Sequence, residues 1–188
     1  MKKVMNLLTL VIILLTLSAC VQVTPESKQK NSQLAISSVR DLPFSYPPKS
    51  LFSLSPKYVK ETSLKAQQIQ AVYQLYTNAI VNDLQKNNFI IVKKGQQAAF
   101  HVGFAIALSD DLSDEKINKK FGVSPGLPEN SDLIKGSFLI YIEDAVTGQR
   151  VWRGIAQGFA HEEKTIEQRQ QRTAVIVASV MKQFYQTN

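Results

Sequence analysis

Few side chains in this chain of 188 residues could serve as thiolate or imidazole ligands to a metal: one cysteine, Cys20, and two histidines, His101 and His161. Zinc sites gather several Cys, His or carboxylate ligands at short spacings. There is no His-x-x-x-His pair, no His-Glu-x-x-His run and only a single thiol, so no metal site is expected. Gly122-Val123-Ser124-Pro125-Gly126 matches the G-x-S-x-G pattern of a hydrolase nucleophile elbow. An elbow needs a strand before it, a helix after it and a backbone N–H from the residue following the serine. Pro125 has no N–H, and the stretch runs on into Leu127-Pro128, so it reads as a loop. Asp110, Asp111, Asp114 and Glu115 offer carboxylates for calcium, but Glu115 stands where an EF-hand loop requires glycine. They read as a solvated loop and a helix cap. No catalytic residues and no cofactor are expected.

What remains is recognition. Ala98–Leu108 alternates large apolar Phe100, Val102, Phe104, Ile106 and Leu108 with Ala99, His101, Gly103, Ala105 and Ala107. Val151–Ala160 alternates Trp152, Gly154, Ala156, Gly158 and Ala160 with Val151, Arg153, Ile155, Gln157 and Phe159. A period of two sends the two sets of each strand to opposite faces of a sheet. Read as one face, the small residues of both strands lie with His101, Tyr141 and Trp152. Small residues let a backbone or a flat ligand come close. Either helices pack there, or this is a shallow partner or ligand surface with Trp152 as its aromatic anchor.

The elements that would carry such a face are legible from periodicity. Leu34–Val39 reads as a first strand. Leu42–Pro56 holds four prolines among aromatics, which predicts an extended segment laid over the domain, anchored by Phe44, Tyr46, Leu51 and Phe52, rather than a central strand. Ile69, Val72, Tyr73, Tyr76, Ala79, Ile80 and Leu84 recur at helical spacing and predict a helix over 63–86, ended by Asn87-Asn88. Phe89–Lys93 is a short strand. Ser113 caps a short helix stopped by Gly122. Gly136–Ala145 and Arg150–Ala160 form a hairpin with Gly148 at positive φ. Thr165-x-x-Gln168 is a capping box opening a terminal helix striped by Thr173, Ile176, Val177, Val180, Met181 and Phe184. The order predicts an α+β domain: an antiparallel β-sheet with two main helices packed on it.

Cys20 is explained by what precedes it. Lys2 and Lys3 lead into the mostly apolar run Val4–Leu17, shorter than the about 20 residues a membrane span requires. The length fits the apolar region of a signal peptide. The run ends in Leu17-Ser18-Ala19-Cys20, which resembles a bacterial lipobox, in which the cysteine thiol receives the lipid. The expected organisation is a signal peptide over 1–19, lipidated Cys20 with a flexible tether over 20–33, and one α+β domain over 34–188. The tether gives a reach of about 20 Å. A blocked thiol leaves no disulfide, which suits an exported domain. Val21 follows the cysteine where inner-membrane retention would favour aspartate, so the analogy points to the outer membrane.

The formal charge is +7, from 22 basic and 15 acidic residues, and Lys2 and Lys3 would leave with the signal peptide. The remaining bases are interleaved with acids and form no run, which argues against nucleic acid as a partner.

Leu133–Gly158 (LIKGSFLIYIEDAVTGQRVWRGIAQG) resembles the signature segment of the lipoprotein family of the domain of unknown function 4136. The shared pattern is Gly136 before an apolar strand, Asp144 before Thr147-Gly148, and Val151-Trp152-Arg153-Gly154. Asn87-Asn88, where that family carries Lys-Gly, and the proline-rich Leu42–Pro56 depart from it. The resemblance supplies no catalytic residues. The expectation is a membrane-anchored, non-catalytic interaction or structural module of the bacterial envelope, meeting the membrane through Cys20 and another envelope protein or small ligand through its domain. The alternative is a carrier holding a small lipid or cell-wall fragment on the sheet.

Overall fold

The computed structural model describes residues 34–57, 64–109, 111–123, 126–128, 133–159 and 165–188. Six strands and three helices follow one another as β1 (Leu34–Arg40), β2 (Leu51–Pro56), α1 (Ala66–Lys86), β3 (Ile90–Ile91), β4 (Phe100–Leu108), α2 (Asp114–Phe121), β5 (Lys135–Asp144), β6 (Arg150–Phe159) and α3 (Ile166–Thr187). The strands form one sheet in the order β1-β6-β5-β4-β2-β3.

The sheet is mixed, which corrects the antiparallel expectation. β1, β6, β5 and β4 pair antiparallel in that order, but β2 runs parallel to both β3 and β4. A parallel pair needs a crossover, usually a helix. Here α1 lies between β2 and β3. A segment whose prolines predict no central strand nonetheless contributes β2 to the inside of the sheet, because those prolines fall at its ends. Pro47 and Pro48 lie in the turn before β2, where the Ser50 N–H donates to Pro47 O at 3.0 Å and Lys49 takes a positive φ of 72°. Pro56 occupies the last strand position, and the following Lys57 N–H donates to Phe104 O at 2.7 Å. Phe52 between them is fully buried.

α1 and α3 cover one face of this sheet. Their stripes, with Tyr73, Ile80 and Leu84 from α1 and Val177, Val180, Met181 and Phe184 from α3, meet Phe100, Val102, Phe104, Phe138, Ile140 and Ile142 from the strands. Local chemistry sets the helix ends. Asn88 takes the left-handed conformation (φ 65°) usually given to glycine, and the Asn87 side chain donates to Asp83 O at 2.9 Å. At α3, Thr165 Oγ1 accepts from the Gln168 N–H at 3.3 Å, and the Gln168 side chain accepts from the Thr165 N–H at 3.2 Å. A Tyr185 hydroxyl donating to Asp83 at 2.6 Å ties α3 to α1.

The opposite face carries α2. Ile117, the buried residue of that helix, joins Val123 above Ala105, Leu139 and Ile155 in a second, smaller apolar cluster. Ser113 Oγ accepts from the Lys116 N–H, and Gly122 (φ 66°) ends the helix.

Candidate functional site

The register places the candidate surface residues. Gly103 pairs with Tyr141, and Tyr141 with Arg153; Phe104 pairs with Ile140, and Ile140 with Gly154. His101, Gly103, Ala105, Ala107 and Tyr141 therefore lie on the α2 face. Trp152, Gly154, Ala156 and Gly158 lie on the face covered by α1 and α3. The small-residue face expected from the sequence is split across the sheet.

One extra residue causes the split. Glu143 pairs with Arg150, but Ile142 pairs with Trp152, so Val151 is an unpaired bulge. Without it Ile142 would oppose Val151 and Trp152 would oppose Tyr141, on the α2 face. A one-residue shift of register moves a side chain to the opposite face. Trp152 is fully buried, with its ring 5.5 Å from that of Phe184 at an edge-on 62°. It is a core residue and not the anchor of an exposed surface. Gly154 makes room for it: a Cβ there would lie 2.5 Å from Trp152 Cη2 and 2.7 Å from Val180 Cγ1. Gly154→Ala should therefore overpack the core and cost about 1–3 kcal/mol, measured as a lower urea midpoint with an unchanged slope.

The rest of the hairpin signature is also folding chemistry. Asp144 Oδ1 accepts from the N–H groups of Val146 (3.1 Å) and Thr147 (2.8 Å) and from Thr147 Oγ1 (3.0 Å). Those bonds, the Thr147 backbone bond foremost, hold its carboxyl below the usual range. The Tyr46 hydroxyl donates to Asp144 Oδ2 at 3.2 Å, pinning the segment before β2 to the hairpin. Gly148 supplies the left-handed residue (φ 65°).

The α2 face has two parts. Toward α2 it is latched: buried Lys135 donates to Asp114 Oδ2 at 2.6 Å, while fully buried Gln157 donates to Asp114 Oδ1 at 2.5 Å and Ser137 Oγ at 3.1 Å. Burial pushes the Asp114 carboxyl up, but hydrogen bonds from Lys135 and Gln157 and the Lys135 charge outweigh it and leave the group below its ordinary value. At the far end of α2 the Arg153 guanidinium lies over Gly122 and pairs with Asp41 at 3.2 Å. Asp41 also pairs with Arg150 at 3.1 Å.

Beyond α2 the face is more open. Tyr141 lies down across β4: a Cβ on Gly103 would fall 2.1 Å from Tyr141 Cζ, so only glycine admits the ring there. Next to it runs a cross-strand row of Ser53, His101, Glu143 and Arg150, all half-buried. Ser53 Oγ and His101 Nδ1 are hydrogen-bonded at 2.6 Å. Sequence reading missed Ser53, because the two residues lie 48 positions apart and only the parallel β2–β4 pairing joins them. A serine beside a histidine has the parts of a nucleophile and base. Both residues sit within strands, Ser53 on β2 and His101 on β4, and neither stands at a strand-to-helix turn of the kind that presents an elbow serine. The row offers hydrogen-bond donors and acceptors, with the Tyr141 ring beside them.

Cys20, His161, Asp110, Ser124 and Pro125 lie outside the described residues. Among the described residues no three His, Cys, Asp or Glu side chains come together as a metal cluster, and no helix is long and apolar enough to cross a membrane.

No curated protein shows a match to the chain. Its fold is similar to that of a DUF4136 family protein from Bacteroides thetaiotaomicron, with a TM-score of 0.51 and 12% identity over 81% of this chain and 96% of that one. A PDZ domain protein from Parabacteroides distasonis gives a TM-score of 0.52 and 12% identity over 83% of this chain but 36% of that one. The PelC dodecamer from Paraburkholderia phytofirmans gives a TM-score of 0.48 and 11% identity over 79% of this chain and 96% of that one. The family model described as a domain of unknown function (DUF4136) matches residues 28–184, and the chain belongs to that family.

Proposed function

We propose that this chain is an envelope lipoprotein, held at a membrane through lipidated Cys20 and more specifically at the outer membrane, whose folded domain is a non-catalytic interaction module. The anchor rests on the order of Lys2-Lys3, the short apolar run and Leu17-Ser18-Ala19-Cys20. The observation that carries the module reading is the asymmetry of the sheet. α1 and α3 fill one face, whereas the α2 face keeps Tyr141, His101 and Ser53 within reach of a partner beyond the small helix.

Cells expressing the native chain and fed a labelled fatty acid should incorporate label, and Cys20→Ser should incorporate none; equal labelling of both would remove the anchor. Crosslinking in intact cells, followed by pull-down and mass spectrometry, tests the module. A defined envelope protein supports it. Recovery of a lipid or cell-wall fragment held by the intact chain in native mass spectrometry supports the carrier alternative instead.

A further inference from the structure

We infer that the Tyr141 ring is a stacking shelf for a neutral saccharide, read by the row of polar side chains beside it. The inference rests on the proposal that the α2 face is the recognition surface, and it names the chemistry of the partner. Side chains in a strand ordinarily stand away from the sheet. Tyr141 instead lies over Gly103, and it is half-buried rather than enclosed. Such a ring offers an apolar surface matched to the C–H face of a sugar.

The neighbours suit the sugar's edge. Ser53, His101, Glu143 and Arg150 line up across four strands; Ser53 and His101 hold each other and Arg150 is held by Asp41, so these three are fixed in place while keeping further donor or acceptor capacity. Charge selects a neutral ligand. Arg150 and Arg153 are both paired with Asp41, and Glu143 balances what that single carboxylate leaves over. A row without net charge gives no long-range attraction to a phosphate-rich or strongly cationic partner. Hydroxyl-rich neutral rings fit both the shelf and the row.

The test uses the full chain in a detergent without a sugar headgroup, titrated calorimetrically with two probes: the N-acetylglucosamine tetramer and the glucose tetramer of cellulose. Binding of at least one is expected. Tyr141→Ala should weaken it by about tenfold or more, the loss of one well-placed aromatic contact. Tyr141→Phe should keep most of the affinity, and His101→Ala, assayed well below its thermal midpoint, should lower it. If neither probe binds, or if Tyr141→Ala binds as the parent does, the saccharide shelf is wrong and Tyr141 serves only to cover Gly103 in the sheet. Crosslinking separates this from the broader reading. An envelope protein captured through this face while neither probe binds overturns the saccharide and leaves the interaction module standing.

Discussion

Trp152→Ala is expected to lower the free energy of unfolding by about 3–5 kcal/mol, the range for removing a large aromatic from a packed core. That is a large share of the about 5–15 kcal/mol by which folded domains outweigh their unfolded chains. The ring is fully buried between the sheet and α3, and the edge-on contact with Phe184 joins it to the aromatic cluster that includes Phe100 and Phe89. Truncation would leave a cavity that Gly154 beneath it cannot fill. Among the described residues the Trp152 indole N–H has no hydrogen-bond partner, so the site already carries one uncompensated polar group. Trp152→Phe, which removes that donor and keeps a ring, should therefore cost much less. Equilibrium urea unfolding checks both. Wild-type stability in Trp152→Ala would put the ring back among the surface anchors, and any partner binding it lost would then be direct.

Asp114→Ala is expected to cost about 3 kcal/mol, the low end for stranding a buried charge, because the Asp114 side chain is itself 36% exposed. Its partner Lys135 is 6% exposed and would keep only Leu127 O, at 3.4 Å, and Gln157 would lose its shortest contact. The effect carries a pH signature. The folded-state pKa of Asp114 lies below its ordinary value, so its contribution is complete above about pH 4 and disappears as pH falls through the lowered value. The stability gap between the parent and Asp114→Asn should be constant from pH 5 to pH 7 and narrow below the ordinary carboxylate pKa. Urea midpoints at pH 7, 4 and 3 measure it. A gap that widens in acid would show that Asp114 is not held as a carboxylate by Lys135. Hydrogen exchange in the same variant should rise first in α2, whose hold on the sheet otherwise rests on Ile117 and its apolar neighbours.

Most of the elements were legible because their signals are local. The stripes of α1 and α3, the Thr165–Gln168 capping box, Ser113 and Gly122 at the ends of α2, and Gly148 in the hairpin each depend on residues within a turn or two of one another. α1 begins at Ala66, against an expected start at Ser63, which lies outside the described residues. The strand β2 was harder to see, since proline counts argue against strands without regard to position. Pro47 and Pro48 fall just before it and Pro56 at its last residue, so the ladder loses little.

By itself the sequence determined the α+β class, the two long helices, the hairpin and the family, through periodicity, capping and a signature whose residues act on their own neighbourhood. The tertiary structure decided which residues face one another. Alternation fixes two faces for each strand but not how the faces of adjacent strands coincide. One bulged residue, Val151, turned Trp152 into the core and left Tyr141 on the other side. The direction of β2 likewise brought Ser53 to His101 across 48 residues of chain. Both depend on pairings between distant segments, and no local pattern encodes those.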